Sequence, residues 1–373
     1  MAQRARRPSA MASRERLTAA LRRLPVDRPA WTVDLGYYNA AMAAQGKADA
    51  RYTGLDGRLR QEEELGADPY FSFASAPYRT EWGEVAVDTR RSPEEIVTTW
   101  RLGTAEITGV RKWMPESYCW AVSKHPVESE RDLAVLLRII RAMRVTPAVE
   151  RHRAVQEQCG GRALPICPLP RGPIPALIAE WCGLMTTSYL SADAPDLFEE
   201  VLRAFEASTD DLVTALADYR PVVVHFCDNI SGECVSSFWD RWMAPLYERR
   251  LSILRQAGVV CVIHNDGTVR SALPRIAAAG FDGAEALTPA PVGDATPAEL
   301  RALAGREDFI LWGMVPGAAF APDWTDRRFE DYLRETLATV KGPLIFGSAD
   351  QIPPDGDLRR VRMVADLLRG RST

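Results

Sequence analysis

Short, almost wholly apolar runs alternate along this chain with longer stretches whose apolar residues recur at helical spacing. Pro221-Val222-Val223-Val224-His225-Phe226 and Val259-Val260-Cys261-Val262-Ile263 are β-branched and lack polar alternation. That is the pattern of parallel strands buried on both faces. A helix is expected to start near Ser236 or Ser237 and to carry Trp239, Trp242, Met243 and Leu246 on one side. A second is expected through Val269, Leu273 and Ile276. Residues 282–287 read as a third strand. After it, Thr296-Pro297-Ala298-Glu299 offers an N-cap, a proline suited to the first helical position and a capping-box acid. Phe309-Ile310-Leu311-Trp312 and Pro343-Leu344-Ile345-Phe346 complete five strands in this half, with helices expected over 329–340 and 358–368.

The first half is less regular. Ala30-Trp31-Thr32-Val33, Tyr70-Phe71-Ser72-Phe73 and Ala163-Leu164-Pro165-Ile166-Cys167 read as strands. Ser129 opens a helix whose Leu133, Leu136, Leu137 and Ile140 face a core. Three strands and five give eight, alternating with helices, so the expected fold is α/β, a (β/α)8 TIM barrel. Residues 16–373 are expected to form that one domain, behind a flexible tail over 1–15. An insertion at about 81–126 should form a hairpin or cap over one barrel end.

Composition narrows the function classes. Hydrophobic residues make up 46% and charged residues 26%, which are globular values. A net charge of −4 gives no basic field for nucleic acid or anionic lipid, and no apolar run is long enough to span a membrane. A small-molecule substrate is expected. Seven scattered cysteines without a C-x-x-C pair suit free thiols in the cytoplasm. Ten Trp and 11 Phe leave room for the apolar interface of a homodimer.

Barrel chemistry gathers at the C-terminal strand ends, where the βα loops converge. The candidates there are Cys227, Asp228 and Asn229; His264 and Asp266; Glu285; and Asp350. His264 reads as a metal ligand, a general acid/base, or a partner of the loop backbone. His225, one residue inside its strand, reads as a core histidine. Asp266 is a ligand, the carboxylate that orients His264, or an Asx-turn residue before Gly267. Asp228 and Asn229 either work in the site or cap a loop. Glu285 lies in an otherwise apolar strand, and a carboxylate buried there must be paired or coordinate something. Asp350 could equally belong to a solvated acidic loop with Asp355 and Asp357. Cys227 is a nucleophile or small apolar filler. Asp34, Tyr37 and Tyr38 at the first strand end are candidate substrate-wall residues, and Tyr78 and Arg79 could hold a substrate anion.

Several of these segments carry a resemblance. Residues 17–29, LTAALRRLPVDRP, look like the opening helix and turn of the uroporphyrinogen decarboxylase superfamily. Lys124-His125-Pro126-Val127, Asp228-Asn229, His264-Asn265-Asp266-Gly267, Glu285-Ala286-Leu287-Thr288-Pro289 and residues 347–355 are similar to segments of its uncharacterised branch. Their order covers most of the chain, from 14 to 369. The superfamily holds cofactor-free porphyrinogen decarboxylases and zinc methyltransferases that pass methyl groups to or from a thiol or a corrinoid. The decarboxylases grip substrate carboxylates with an arginine-rich loop after the first strand. Here that place reads Asp34-Leu35-Gly36-Tyr37-Tyr38, and the Asp expected after the second strand is missing from Phe71-Ser72-Phe73-Ala74-Ser75. Porphyrin carboxylates would lack their bidentate donors.

The methyltransferase branch binds zinc through His-x-Cys after one strand and a further Cys after the last. His264 matches the histidine, Asp266 stands in place of the first cysteine, and Asp350 or Ser348 lies near the second. The resemblance therefore implies a divalent metal on His264, Asp266 and Asp350, zinc first, with iron or manganese suited to the harder ligands. The expected activity is metal-assisted methyl transfer or demethylation of a small molecule, with Asp228 and Glu285 orienting substrate or moving protons. A corrinoid would come on a separate partner protein, since no Asp-x-His-x-x-Gly motif occurs here. The alternative is a cofactor-free decarboxylase of a small acid, for which Arg79 is the available cation.

Overall fold

The computed structural model describes residues 10–71 and 75–370. Its strands in chain order are β1 (Ala30–Asp34), β2 (Tyr70–Phe71), β3 (Tyr78–Glu81), β4 (Ala86–Arg91), β5 (Glu95–Leu102), β6 (Ala105–Met114), β7 (Cys119–Lys124) and β8 (Arg144–Pro147). They continue as β9 (Leu164–Pro165), β10 (Cys167–Leu169), β11 (Val223–Ile230), β12 (Val260–Asn265), β13 (Gly283–Leu287), β14 (Ile310–Pro316) and β15 (Leu344–Gln351). Seven of them form one curled parallel sheet in the order β1-β15-β14-β13-β12-β11-β10. The run expected as one strand at 163–167 is split around Ile166 into β9 and β10, and β9 pairs in parallel with β2. A backbone bond of 2.6 Å from Asp68 N to Trp31 O ties the approach to β2 onto β1. The rest of the strand expected at 70–73, and the segment compared with the decarboxylase Asp, fall partly outside the described residues. So do residues 1–9 of the expected tail.

Two apolar layers follow from strand alternation, which sends successive side chains to opposite faces. Trp31, Val224, Phe226, Cys261, Ile263, Leu311 and Phe346 pack outward with the helices. Ala30, Val223, Val260, Val262, Ile310, Trp312 and Ile345 pack on the concave side. The helix Ser13–Leu21 adds Leu17 and Leu21 to this inner layer, beneath the strands. Arg16 bonds Asp27 at 2.7 Å, and Arg28 bonds Asp68 at 2.9 Å, so the charged residues of the opening motif hold that helix in place.

Helix boundaries follow local chemistry. The expected capping box is formed by Thr296 and Glu299 at the start of Pro297–Ala304. The helix Leu358–Leu368 starts on Asp357, which accepts from Arg359 N, and Glu130–Ala142 starts on Ser129, which accepts from Asp132 N. The helix expected from Ser236 is instead broken. A short turn at Gly232–Val235 and a π-turn at Trp239–Met243 precede Ala244–Gln256, whose first turn holds Pro245. Pro274 likewise delays the next helix to Leu273–Ala278. The segment read as an insertion forms a four-stranded antiparallel sheet, β4-β5-β6-β7. Its β6–β7 turn meets the end of β1, where Ser117 O accepts from Tyr37 Oη.

Candidate functional site

The inner face changes character along each strand. From Val223 the same alternation runs to His225 and Cys227; from Val260 and Val262 it runs to His264; from Ala30 and Thr32 it runs to Asp34. Apolar side chains fill the lower part and polar ones end the column. Glu285 lies at the centre of that polar end, buried, on β13. Its Oε2 is 2.6 Å from His264 Nδ1 and 3.2 Å from His225 Nε2, and its Oε1 accepts from Tyr70 Oη at 3.0 Å. The two imidazoles stand nearly perpendicular, at 86°, with centroids 5.9 Å apart. His225 Nδ1 in turn lies 3.2 Å from Cys227 Sγ.

Charge is shared tightly here. Burial alone would raise the Glu285 carboxyl, but the two histidines outweigh it and hold the group far below the usual carboxylate range. Burial would lower His264, yet Glu285 brings it above its ordinary value. His225 is opposed by burial in the same way and raised by Cys227 and Glu285. Both imidazoles are therefore favoured in their protonated form beside a single carboxylate, and a metal ion would bind there in place of those protons.

One donor atom from each of His225, His264 and Glu285 lies within 4.8 Å of the other two, and among the described residues this is the group able to hold a metal ion. Two imidazoles and a carboxylate are an established set for zinc and for Fe(II). The partners behind the donors fit as well: Tyr70 fixes the second Glu285 oxygen, and Cys227 engages the far nitrogen of His225. Such outer contacts orient metal ligands.

This group differs from the metal set expected from sequence. His264 is retained, but Asp266 and Asp350 do not join it; His225, read as a core histidine, and Glu285 do. Asp266 is exposed, and its Oδ2 accepts from Asn229 Nδ2 at 3.4 Å. Asp350 stands nearby with φ at +63°, and burial pushes its carboxyl up to about 6. Asp266, Asp34 and Glu285 reinforce that rise while His264 opposes it. Asp34 accepts from Gly36 N at 2.7 Å; burial raises its carboxyl and Arg58 counters the rise.

Asp228 is expected from sequence either to work in the site, orienting substrate or moving protons, or to cap a loop. It follows Cys227, so alternation turns it outward, where it is buried and accepts from Gly172 N and Tyr247 Oη, both at 2.7 Å. It ties the loop after β10 to the helix Ala244–Gln256. Asn229 has φ +49° and accepts from Arg171 at 3.3 Å on the exposed rim. Tyr37 is half-buried on its bond to Ser117, and Tyr38 packs against the outer core. Tyr78 is half-buried, and its hydroxyl is pushed up to about 12 by burial, with Cys227 and Glu180 adding to it. Arg79 points away: it is exposed and pairs with Glu150 at 3.4 Å. The anion-holding role expected for it is not supported by that position.

No helix is long and apolar enough to cross a membrane among the described residues. No protein-family model matches the chain, and no curated protein matches it. Among solved structures it is similar to a methyltransferase from Methanosarcina mazei, with a TM-score of 0.58 and 16% identity, over 96% of this chain and 99% of that one. At that identity the likeness establishes a shared fold, over nearly the full length of both chains.

Proposed function

We propose that this chain is a metal-assisted methyltransferase or demethylase acting on a small molecule, with His225, His264 and Glu285 holding a divalent ion. The observation that carries it is the convergence of those three donors on the buried polar end of a fold shared with a methyltransferase. In the same reading the curled sheet and β2 together make a closed (β/α)8 barrel of the uroporphyrinogen decarboxylase superfamily. Zinc is the first candidate, with iron or manganese next.

When bound, the ion would supply Lewis-acid activation of a substrate heteroatom, lowering its pKa as a leaving group or nucleophile. The chain's own residues do the rest. Glu285 neutralises the site and, through Tyr70, keeps its carboxylate in one orientation. Asp350, with its carboxyl near 6, exchanges a proton with the substrate close to neutral pH. Asp34 and Tyr78 wall the substrate. A corrinoid, if it is the methyl carrier, arrives on a separate protein. Decarboxylation is less well supported, because Arg79 lies on the outer surface.

Elemental analysis of protein purified without a histidine tag tests the proposal. About one equivalent of metal is expected, and it should be lost in both His264→Ala and His225→Ala. Absence of metal after reconstitution with zinc, iron and manganese would overturn it. Retention in His225→Ala alone would return the ligand role to Asp266 or Asp350.

A further inference from the structure

The antiparallel sheet carries a cavity that the strand-end site does not use. Strand alternation turns Arg91 of β4, Ile96, Thr98 and Trp100 of β5 and Arg111 of β6 to one face, where, together with Lys124 of β7 beyond a shift in the β6–β7 register, they line a space of about 210 Å³. Arg91 is the register partner of Ile96, and Ile96 of Arg111. The two arginines thus stand two strands apart, about 10 Å at the backbone, with an apolar floor between them. That span lets both guanidinium groups close on one small anion.

The charges there are not balanced internally. Among the described residues neither Arg91 nor Arg111 makes an ion pair or a side-chain hydrogen bond. Lys124 has only a 3.6 Å contact with Glu128. The one carboxylate lining the cavity, Glu180, is already engaged by Arg171 at 2.8 Å. Trp100 lines the cavity, and its indole Nε1 is buried without an acceptor. Trp100 is fixed by its packing on Trp181, with ring centroids 5.0 Å apart, so it is not free to swing to water.

We propose that this sheet face is a phosphate-binding site. Two guanidinium forks and an ammonium offer more donors than the two oxygens of a carboxylate readily accept, while the oxygens of a phosphate match them. The site takes a free phosphate or the phosphate group of a small organic ligand.

Calorimetric titration with inorganic phosphate and, separately, with glycerol 3-phosphate at low salt tests this. One saturable site is expected, accompanied by a change in tryptophan fluorescence. In Arg91→Gln/Arg111→Gln the affinity should fall at least tenfold. It should be unchanged in Arg90→Gln, on the opposite face, where Arg90 lies 3.5 Å from Asp88. Tighter binding of the ester identifies an organic ligand, and equal binding identifies free phosphate. If the double variant does not fold, each single variant carries the same comparison with a smaller loss. Unsaturable binding, or an equal loss in Arg90→Gln, would overturn the assignment.

Discussion

His264 and Glu285 are register partners across the β12–β13 pairing, and their side chains meet at 2.6 Å between Nδ1 and Oε2. Neighbouring parallel strands bring such partners side by side on the same face, so backbone register alone makes this contact. His225 reaches the same oxygen from β11, the next strand over. The cluster is thus built on rigid elements of the sheet, with Tyr70 from β2 as its outer support.

Glu285→Gln keeps the shape of that cluster and removes its charge. If the three groups hold a metal, zinc affinity should fall at least tenfold, with the far-UV circular dichroism unchanged. Competition with a chromogenic chelator measures it. Unaltered affinity would mean that the three side chains are a hydrogen-bonded group without a ligand role.

Tyr70→Phe isolates the outer support. The loss of one buried hydrogen bond to a charged acceptor should cost about 1.5–3 kcal/mol in urea unfolding. Zinc affinity should drop by roughly 10–100-fold, the range seen when the outer partner of a ligand is removed. A stability loss without any change in affinity would make Tyr70 purely structural.

Asp228→Asn and Tyr247→Phe should weaken the fold and leave metal content alone, because their 2.7 Å bond lies on the outward face of β11. A cost of about 1–3 kcal/mol each is expected from a buried polar group left without its partner. The two variants share one interaction, so the double variant should cost less than the sum of the singles. Lost metal in either single variant would place Asp228 back in the site.

Where the sequence spoke clearly, a local rule applied. Thr296 and Glu299 formed their capping box, and the helix at 358–368 has the boundaries expected of it. His264 and Glu285 were legible as polar residues ending apolar strands. His225 was not, and the reason is physical. A strand buried on both faces has no polar alternation, so 222–226 does not reveal which residues face inward. The spacing His225-Phe226-Cys227, two polar groups on one side of a strand, was the available signal. The same blindness to face left both readings of Asp228 open, in the site or capping a loop, and its bonds to Gly172 and Tyr247 lie on the outward side. The direction of Arg79 depends on the antiparallel pairing of β3 with β8, a contact to residues 144–147 that no local pattern announces.

Glu62 gives a stability test that does not touch the cluster. It is fully buried, its Oε2 has no hydrogen-bond partner, and burial pushes its carboxyl up to about 7 against the pull of Arg58 at 2.9 Å. Its folded pKa therefore lies above its ordinary value of 4.5. The native state then binds more protons than the unfolded state between those two values, so this group makes stability fall as pH rises from about 4.5 to about 7, with no further loss above. Glu62→Gln keeps an acceptor for Arg58 and removes the ionisation. The variant should melt a few degrees above the parent at pH 8, and the gap should close as pH drops toward 4.5. Melting curves of both proteins across that range decide it. Parallel curves, with the same gap at every pH, would mean that Glu62 titrates as an ordinary carboxylate and carries no cost in the fold.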